Sequence, residues 1–121
     1  MAVRKYIQAY IHSYYTRDLI EYGNNYEYFD LVFEAFTIQS LPVEFREKMV
    51  TAVVNSVAVD GKFLLVAHKR EEDFEGPPWP LTLDEVALFN RAGLIELSHA
   101  IHTEESKISN TRFRVLYTKI A

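Results

Sequence analysis

Five consecutive apolar residues, Phe63 to Ala67, limit the folds open to this chain more than any other feature. Lys62 and His68 flank the run, so it has the length of a strand and is too short for a buried helix. A strand without a polar position predicts cover on both faces, which is typical of inner strands in parallel sheets. We therefore expect this segment inside the sheet of an α/β domain.

The segment before this strand predicts a strand–helix–strand unit. Phe29–Phe33 is a second short apolar run, broken only by Asp30. Between the two runs, apolar residues recur every four positions over 42–57, which predicts a helix. Asp60 and Gly61 then predict the turn that ends this helix. Such alternation favours parallel strands joined by right-handed crossovers.

The second half of the chain predicts one helix and then two strands. Thr82 and Glu85 have the spacing of a capping box, and Gly93 stands where a helix commonly ends, so we predict a helix over 83–92. Two strand patterns follow with no helix between them, which predicts a terminal antiparallel hairpin. These two strands cover 94–101 and 112–119.

Residues 3–22 stay ambiguous. Their apolar residues fall at helical spacing, but the Tyr and Ile content also suits a strand. Gly23 with the following two asparagines predicts a turn after this segment.

Composition excludes several classes of protein. The 121 residues are 49% hydrophobic and suffice for one domain. A net charge of −4 argues against nonspecific binding to nucleic acid, and the lack of cysteine excludes disulfides and thiolate chemistry. No apolar run is long enough to span a membrane, and the N-terminus has no secretory pattern. We expect a single soluble, cytoplasmic domain over 1–121.

Four segments, in this order, resemble parts of one family. Phe29–Glu34 resembles the fourth strand of class I S-adenosylmethionine-dependent methyltransferases, and Val59–Val66 resembles the fifth, although Asp60 departs from the usual turn. Residues 76–82 look like the loop before the last helix of small-molecule members, and Gly93 with the two strands after it is similar to the closing hairpin. The resemblance covers 28–121.

The resemblance implies a fold and an incomplete domain. The expected fold is a partial Rossmann-like α/β sheet, with parallel strands, helices on its faces and a terminal antiparallel hairpin. The family binds its cofactor with a glycine-rich turn after the first strand. This chain has glycines only at 23, 61, 76 and 93, so no Gly-x-Gly exists. It therefore corresponds to the C-terminal half, preceded by residues 1–27.

The resemblance also implies site residues, with S-adenosylmethionine as cofactor. Asp18 is the only match for the family's adenine-contacting Asp. Residues after a parallel strand's carboxyl end lie where ligands bind in open α/β sheets, and a rigid Pro-Trp loop suits a pocket wall. Cofactor candidates are Asp18, Asp30 and Glu34; substrate candidates are Thr37, Gln39, Pro78 and Trp79. No catalytic residue is assigned.

Plainer structural roles stay open for these residues. Asp30 could be a strand-end residue bonded to a loop, Glu34 and Gln39 could cap a helix, and Trp79 could pack over the sheet edge. His99 and His102 are three apart in a strand, which puts them on opposite faces and gives no metal site. For His68, a satisfied or exposed side chain is the expectation.

These observations lead to a functional hypothesis with one alternative. The hypothesis is a truncated or split methyltransferase-like domain, inactive alone, that acts on a small-molecule acceptor. It would need a missing N-terminal half or a second copy, because a half-sheet leaves an unpaired edge strand. The alternative is a homo-oligomeric, noncatalytic α/β ligand-binding or interaction protein.

Overall fold

The computed structural model describes residues 28–70, 76–103 and 111–120. The ambiguous segment 3–22 and Asp18 lie outside this part of the chain. The described elements, in order, are β1 (Phe29–Ala35), two 3-10 turns (Ile38–Ser40 and Val43–Phe45), α1 (Arg46–Ser56), β2 (Val57–His68), α2 (Leu83–Val86), α3 (Leu88–Arg91), β3 (Leu94–Thr103) and β4 (Thr111–Lys119).

The four described strands form one mixed sheet in the order β1-β2-β4-β3. β1 and β2 are parallel, whereas β4 is antiparallel to both β2 and β3. This arrangement confirms the predicted α/β class, the inner position of Phe63–Ala67 and the terminal hairpin.

One face of the sheet, here called the helix face, carries the core. Phe63, Leu65 and Ala67 of β2 are fully buried there, as are their neighbours Val115 and Tyr117 in β4. The buried residues of α1, α2 and α3 belong to the same cluster, so all three helices cover this face. The Tyr117 hydroxyl donates to the backbone oxygen of Val86 at 3.1 Å, and burial raises the pKa of Tyr117.

The opposite face of the sheet, here called the open face, has no described helix packed on it. Leu31 and Phe33 of β1 are 36% and 38% exposed, and they lie beside Lys62 and Leu64 of β2. The apolar runs predicted cover on both faces, and the described residues provide it on the helix face only. The apolar pattern of β1 and β2 is therefore typical of a sheet that a second layer covers on the open face.

The predicted role of Asp60 and Gly61 was wrong. The first helix ends at Ser56 and β2 begins at Val57, so Asp60 lies inside the strand and does not end the helix. Asp60 has a φ of 65°, and the register slips there, because Phe29 pairs with Val57 whereas Leu31 pairs with Lys62. The Asp-Gly pair therefore makes a bulge next to β1.

The second predicted helix is divided into α2 and α3 at Ala87. Its start is as predicted: the Thr82 hydroxyl accepts from the Glu85 backbone N–H at 3.1 Å, and the Glu85 carboxylate accepts from the Thr82 N–H at 2.9 Å. Gly93 after its end has a φ of 118°, a conformation that L residues with side chains rarely adopt. In the described part of the chain, no helix is long and apolar enough to cross a membrane.

Substitution of Gly61 by alanine should destabilise the bulge. A Cβ there would lie 2.7 Å from the Ala58 backbone oxygen and 3.0 Å from that of Phe29, and neither backbone can move freely. We expect a loss of about 1–3 kcal/mol in the free energy of unfolding, measured with urea. Lys48→Ala, at an exposed position in α1, is the control and should change little. An unchanged midpoint for Gly61→Ala would contradict the close approach.

Candidate functional site

The carboxyl ends of β1 and β2 meet at one edge of the sheet, where Glu34 is the most deeply buried polar residue. Its side chain is 1% exposed. One oxygen, Oε1, accepts from the backbone N–H groups of Thr37 at 2.7 Å and Ile38 at 3.2 Å, and so holds the first 3-10 turn. The other oxygen, Oε2, is buried and has no hydrogen-bond partner among the described residues. Glu34 therefore has one structural oxygen and one that is unsatisfied.

Burial disfavours the charged form of Glu34. Desolvation raises the pKa of its carboxyl group above the ordinary value, and the hydrogen bonds from Thr37 and Ile38 oppose that rise. An unsatisfied buried oxygen costs free energy unless a further group reaches it. A cationic or hydrogen-bonding ligand group at Oε2 would supply that partner.

Gln39 joins the loop after β1 to the end of β2. Its Oε1 accepts from the His68 backbone N–H at 2.8 Å, which orients the amide, and its Nε2 then lies 3.0 Å from His68 Nδ1. Because the amide nitrogen can only donate, Nδ1 accepts, and the ring proton of neutral His68 is on Nε2. The expectation that His68 is satisfied is confirmed.

His68 also contacts Phe36, the first residue after β1. The ring centroids are 4.8 Å apart, and the Phe36 backbone N–H donates to the Val66 oxygen at 3.0 Å. Phe36 has a φ of 62°, which is uncommon for a bulky residue and costs on the order of 1–3 kcal/mol. The fold thus holds an aromatic ring in a strained position at this edge.

Acidification should weaken the protein through His68. Burial, and then the positive charge of Arg112 opposite it in β4, lowers the pKa of His68 below 6.5. The unfolded chain therefore binds this proton at a higher pH than the folded chain does. The contribution of neutral His68 to the free energy of unfolding is complete above pH 6.5. It is lost as the pH falls through the pKa that His68 has in the folded chain. We expect urea midpoints from pH 7.5 to 5 to fall more for the native chain than for His68→Asn; parallel curves would contradict this.

Arg46 at the start of α1 ties the two loops of this edge together, and sequence reasoning missed it. It is 4% exposed, and its Nε donates to Glu85 at 2.9 Å. Its Nη1 donates to the backbone oxygen of Ile38 at 2.7 Å, and its Nη2 to that of Trp79. The Trp79 backbone N–H in turn donates to the backbone oxygen of Gln39 at 2.6 Å. The loop after β1 and the proline loop are thus one connected unit.

The structure brings five of the seven candidates to this edge. Glu34, Thr37 and Gln39 lie at the end of β1, and Pro78 and Trp79 lie in the adjoining loop. Their surroundings differ: Thr37 and Pro78 are exposed, Trp79 is half-buried, and Gln39 is buried.

The other two candidates lie elsewhere. Asp30 is near the start of β1, four residues and roughly 13 Å of strand from Glu34, so it does not join the edge. Asp18 lies outside the described residues.

The other two histidines in the described part of the chain, His99 and His102, form no site with these residues. His99 lies opposite Val115 on the helix face, and His102 lies opposite Arg112 on the open face, so their predicted separation is confirmed. Among the described residues, no group of three or more His, Asp or Glu side chains is arranged to hold a metal ion. The edge offers a buried carboxyl, an oriented amide and aromatic rings, which are groups that hold and orient a ligand.

Comparison with solved structures finds the same fold within longer proteins. The N-methyltransferase NodS from Bradyrhizobium japonicum WM9, in complex with S-adenosyl-L-homocysteine, matches 85% of this chain with a TM-score of 0.68 and 11% identity. TehB from Haemophilus influenzae matches 85% with a TM-score of 0.64 and 17% identity. An O-methyltransferase family protein from Burkholderia thailandensis matches 91% with a TM-score of 0.66 and 10% identity.

These likenesses concern the fold and only part of each relative. The chain spans 52% of NodS, 39% of TehB and 36% of the Burkholderia protein. No family model matches the sequence, and no curated protein matches it. The chain therefore has the fold of a fragment of a S-adenosylmethionine-dependent methyltransferase.

Proposed function

We propose that this chain is the acceptor-side half of a split S-adenosylmethionine-dependent methyltransferase, inactive alone and completed by a separate cofactor-binding half. The observation that carries the proposal is the described sheet, which aligns with about half of NodS and has no described helix on the open face, where Leu31 and Phe33 are exposed. Leu31 and Phe33 on that face belong to β1, which is an edge strand of the described sheet. A partner could therefore extend the sheet at β1 and cover the same apolar surface.

The residues present fit one end of the cofactor. In this proposal the unsatisfied Oε2 of Glu34 receives the ammonium group of the methionine moiety, a pairing that would relieve the cost of its burial. Thr37 and Gln39 would line the same side of the cofactor site as Glu34. The described residues offer no glycine turn and no acidic partner for the ribose, which the second half would supply.

The other side of the edge would hold the methyl acceptor. Trp79 and Pro78 would form an apolar wall, and Arg46 would keep their loop against Gln39. S-adenosylmethionine supplies an activated methyl group, so the protein mainly aligns the acceptor with it and excludes water. A fixed aromatic wall suits that task.

The proposal is tested by reconstitution. The reading frame upstream of the gene is examined for a Gly-x-Gly strand–turn–helix, and its product is coexpressed with this chain. Calorimetric titration with S-adenosylmethionine should show binding by the pair and not by this chain alone. Glu34→Gln in the pair should weaken binding, whereas Glu44→Gln, at an exposed position before α1, should not. A pair that forms and fails to bind the cofactor would refute the proposal.

A further inference from the structure

The second edge of the described sheet, β3, has the features of a self-association surface. This ten-residue strand pairs with β4 on one side, and no described residue pairs with its other side. Ile95, Leu97 and Ile101 are 44%, 51% and 50% exposed. Long edges with apolar side chains are prone to pair with another strand.

A bulge at Leu97 determines which side chains share a face. Glu96 lies opposite Tyr117 and Ser98 lies opposite Leu116, so Leu97 is the extra residue. Before the bulge, Glu96 is on the helix face and Ile95 on the open face. After it the order is reversed: His99 and Ile101 are on the helix face, and Ser98 and Ala100 on the open face.

We propose that β3 pairs antiparallel with β3 of a second copy, with the two-fold axis between Leu97 and Ser98. In this register Ile95 faces Ala100 of the second copy, and both lie on the open face. Glu96 faces His99 of the second copy, and both lie on the helix face. The pairing joins two sheets at the edge opposite β1, so it is independent of the proposed completion there.

The bulge itself selects this kind of register. Residues that face each other across an antiparallel pair must lie on the same face of the joined sheet. If Glu96 faced Ser98 of the second copy, a helix-face residue would oppose an open-face one. A residue before the bulge and a residue after it lie on the same face only when their sequence numbers differ by an odd number. The proposed register meets this condition, because it pairs Glu96 with His99 and Ile95 with Ala100.

Charge supports a second copy as the occupant. Glu96 Oε1 and His99 Nδ1 lie 2.6 Å apart within one strand. A two-fold axis brings two such pairs together, so that each carboxylate has an imidazole from both copies in reach. An isologous interface requires such self-complementarity, because the same patch must fit itself. A foreign strand that placed a carboxylate at this position would be repelled by Glu96.

The first test is sedimentation of the full chain over a range of concentrations. We expect a reversible equilibrium between 14.1 kDa and twice that mass; narrow interfaces of this kind are typically transient. Leu97→Lys should shift it to monomer, because a charged side chain would enter the pairing edge. Ile120→Lys, at an isoleucine 59% exposed outside β3, should not. A native chain that is monomeric throughout, or a dimer unchanged by Leu97→Lys, would overturn the proposal.

The second test reads the register directly. The sequence has no cysteine, so any disulfide that forms must join two introduced thiols. A mixture of Ile95→Cys and Ala100→Cys chains should form a disulfide-linked dimer under mild oxidation, and each variant alone should form far less. Stronger cross-linking in either single variant would overturn the register. Glu96→His with His99→Glu should keep the dimer, because the swap preserves complementarity; loss of the dimer would oppose the charge argument.

Discussion

The chain alone should bind S-adenosylmethionine at least about a thousandfold more weakly than NodS titrated under the same conditions. The adenosine end of such a cofactor needs close backbone approach at glycines, a helix N-terminus and an acidic partner. No Gly-x-Gly is present in the sequence. Hydrogen bonds to charged groups contribute about 1.5–3 kcal/mol each, so the loss of three removes at least about 4.5 kcal/mol, which is roughly three powers of ten in affinity or more.

Calorimetry on protein checked for copurified ligand measures this. The lone tryptophan, Trp79, gives a second readout, because its loop borders the carboxyl edge and its emission would respond to a bound ligand. A micromolar dissociation constant would contradict the expectation. It would mean that two copies build a composite site, and Asp18, Asp30 and Glu34 would be the first residues to substitute.

Replacement of Arg46 by methionine should be the most destabilising single change at the edge. It leaves the 14%-exposed Glu85 carboxylate without its cation and removes the donors to Ile38 and Trp79. Breaking a buried ion pair by removing one partner costs about 3–5 kcal/mol. At roughly 4 °C per kcal/mol for a domain of this size, the Tm should fall by on the order of 15 °C.

Thermal unfolding followed by circular dichroism measures the Tm, and acrylamide quenching of Trp79 reports the proline loop. Quenching should rise in Arg46→Met at temperatures where the sheet is still folded. Arg91→Met, at an exposed position in α3, is the matched control and should change neither. A Tm drop below about 4 °C would show that the contacts of Arg46 contribute no more than one ordinary hydrogen bond.

Local patterns predicted the elements of this fold well. The capping box joins Thr82 and Glu85, which are three positions apart, and the alternation of β4 depends on side chains two positions apart. Both patterns are local and can therefore be predicted directly from the sequence. The role of Asp60 and Gly61 was predicted wrongly because Asp-Gly is an ordinary helix stop. Here Asp60 belongs to a bulge against β1, and the residues paired on either side of it, such as Leu31 and Lys62, are about 30 positions apart in the sequence.

The site was less readable because its bonds join distant segments. Gln39 and His68 are 29 residues apart, and neither residue type predicts a contact with the other. Arg46 did carry a signal: it shares a helical stripe with Met49, Val50 and Val53, which are all buried, so a charge on an apolar stripe indicates a buried ion pair. Glu34 carried the equivalent signal for a strand, two positions after the buried Val32.

The strand order has a consequence for synthesis on the ribosome. β4 lies between β2 and β3, although it is made after both of them. Until residues 111–119 emerge from the exit tunnel, β3 has no strand to pair with and β2 has only β1. Phe63 and its neighbours therefore stay without their β4 partners until residues 111–119 have been made, a period in which nascent chains are prone to misassociate. A stop codon within β4 would release a chain that cannot complete this sheet.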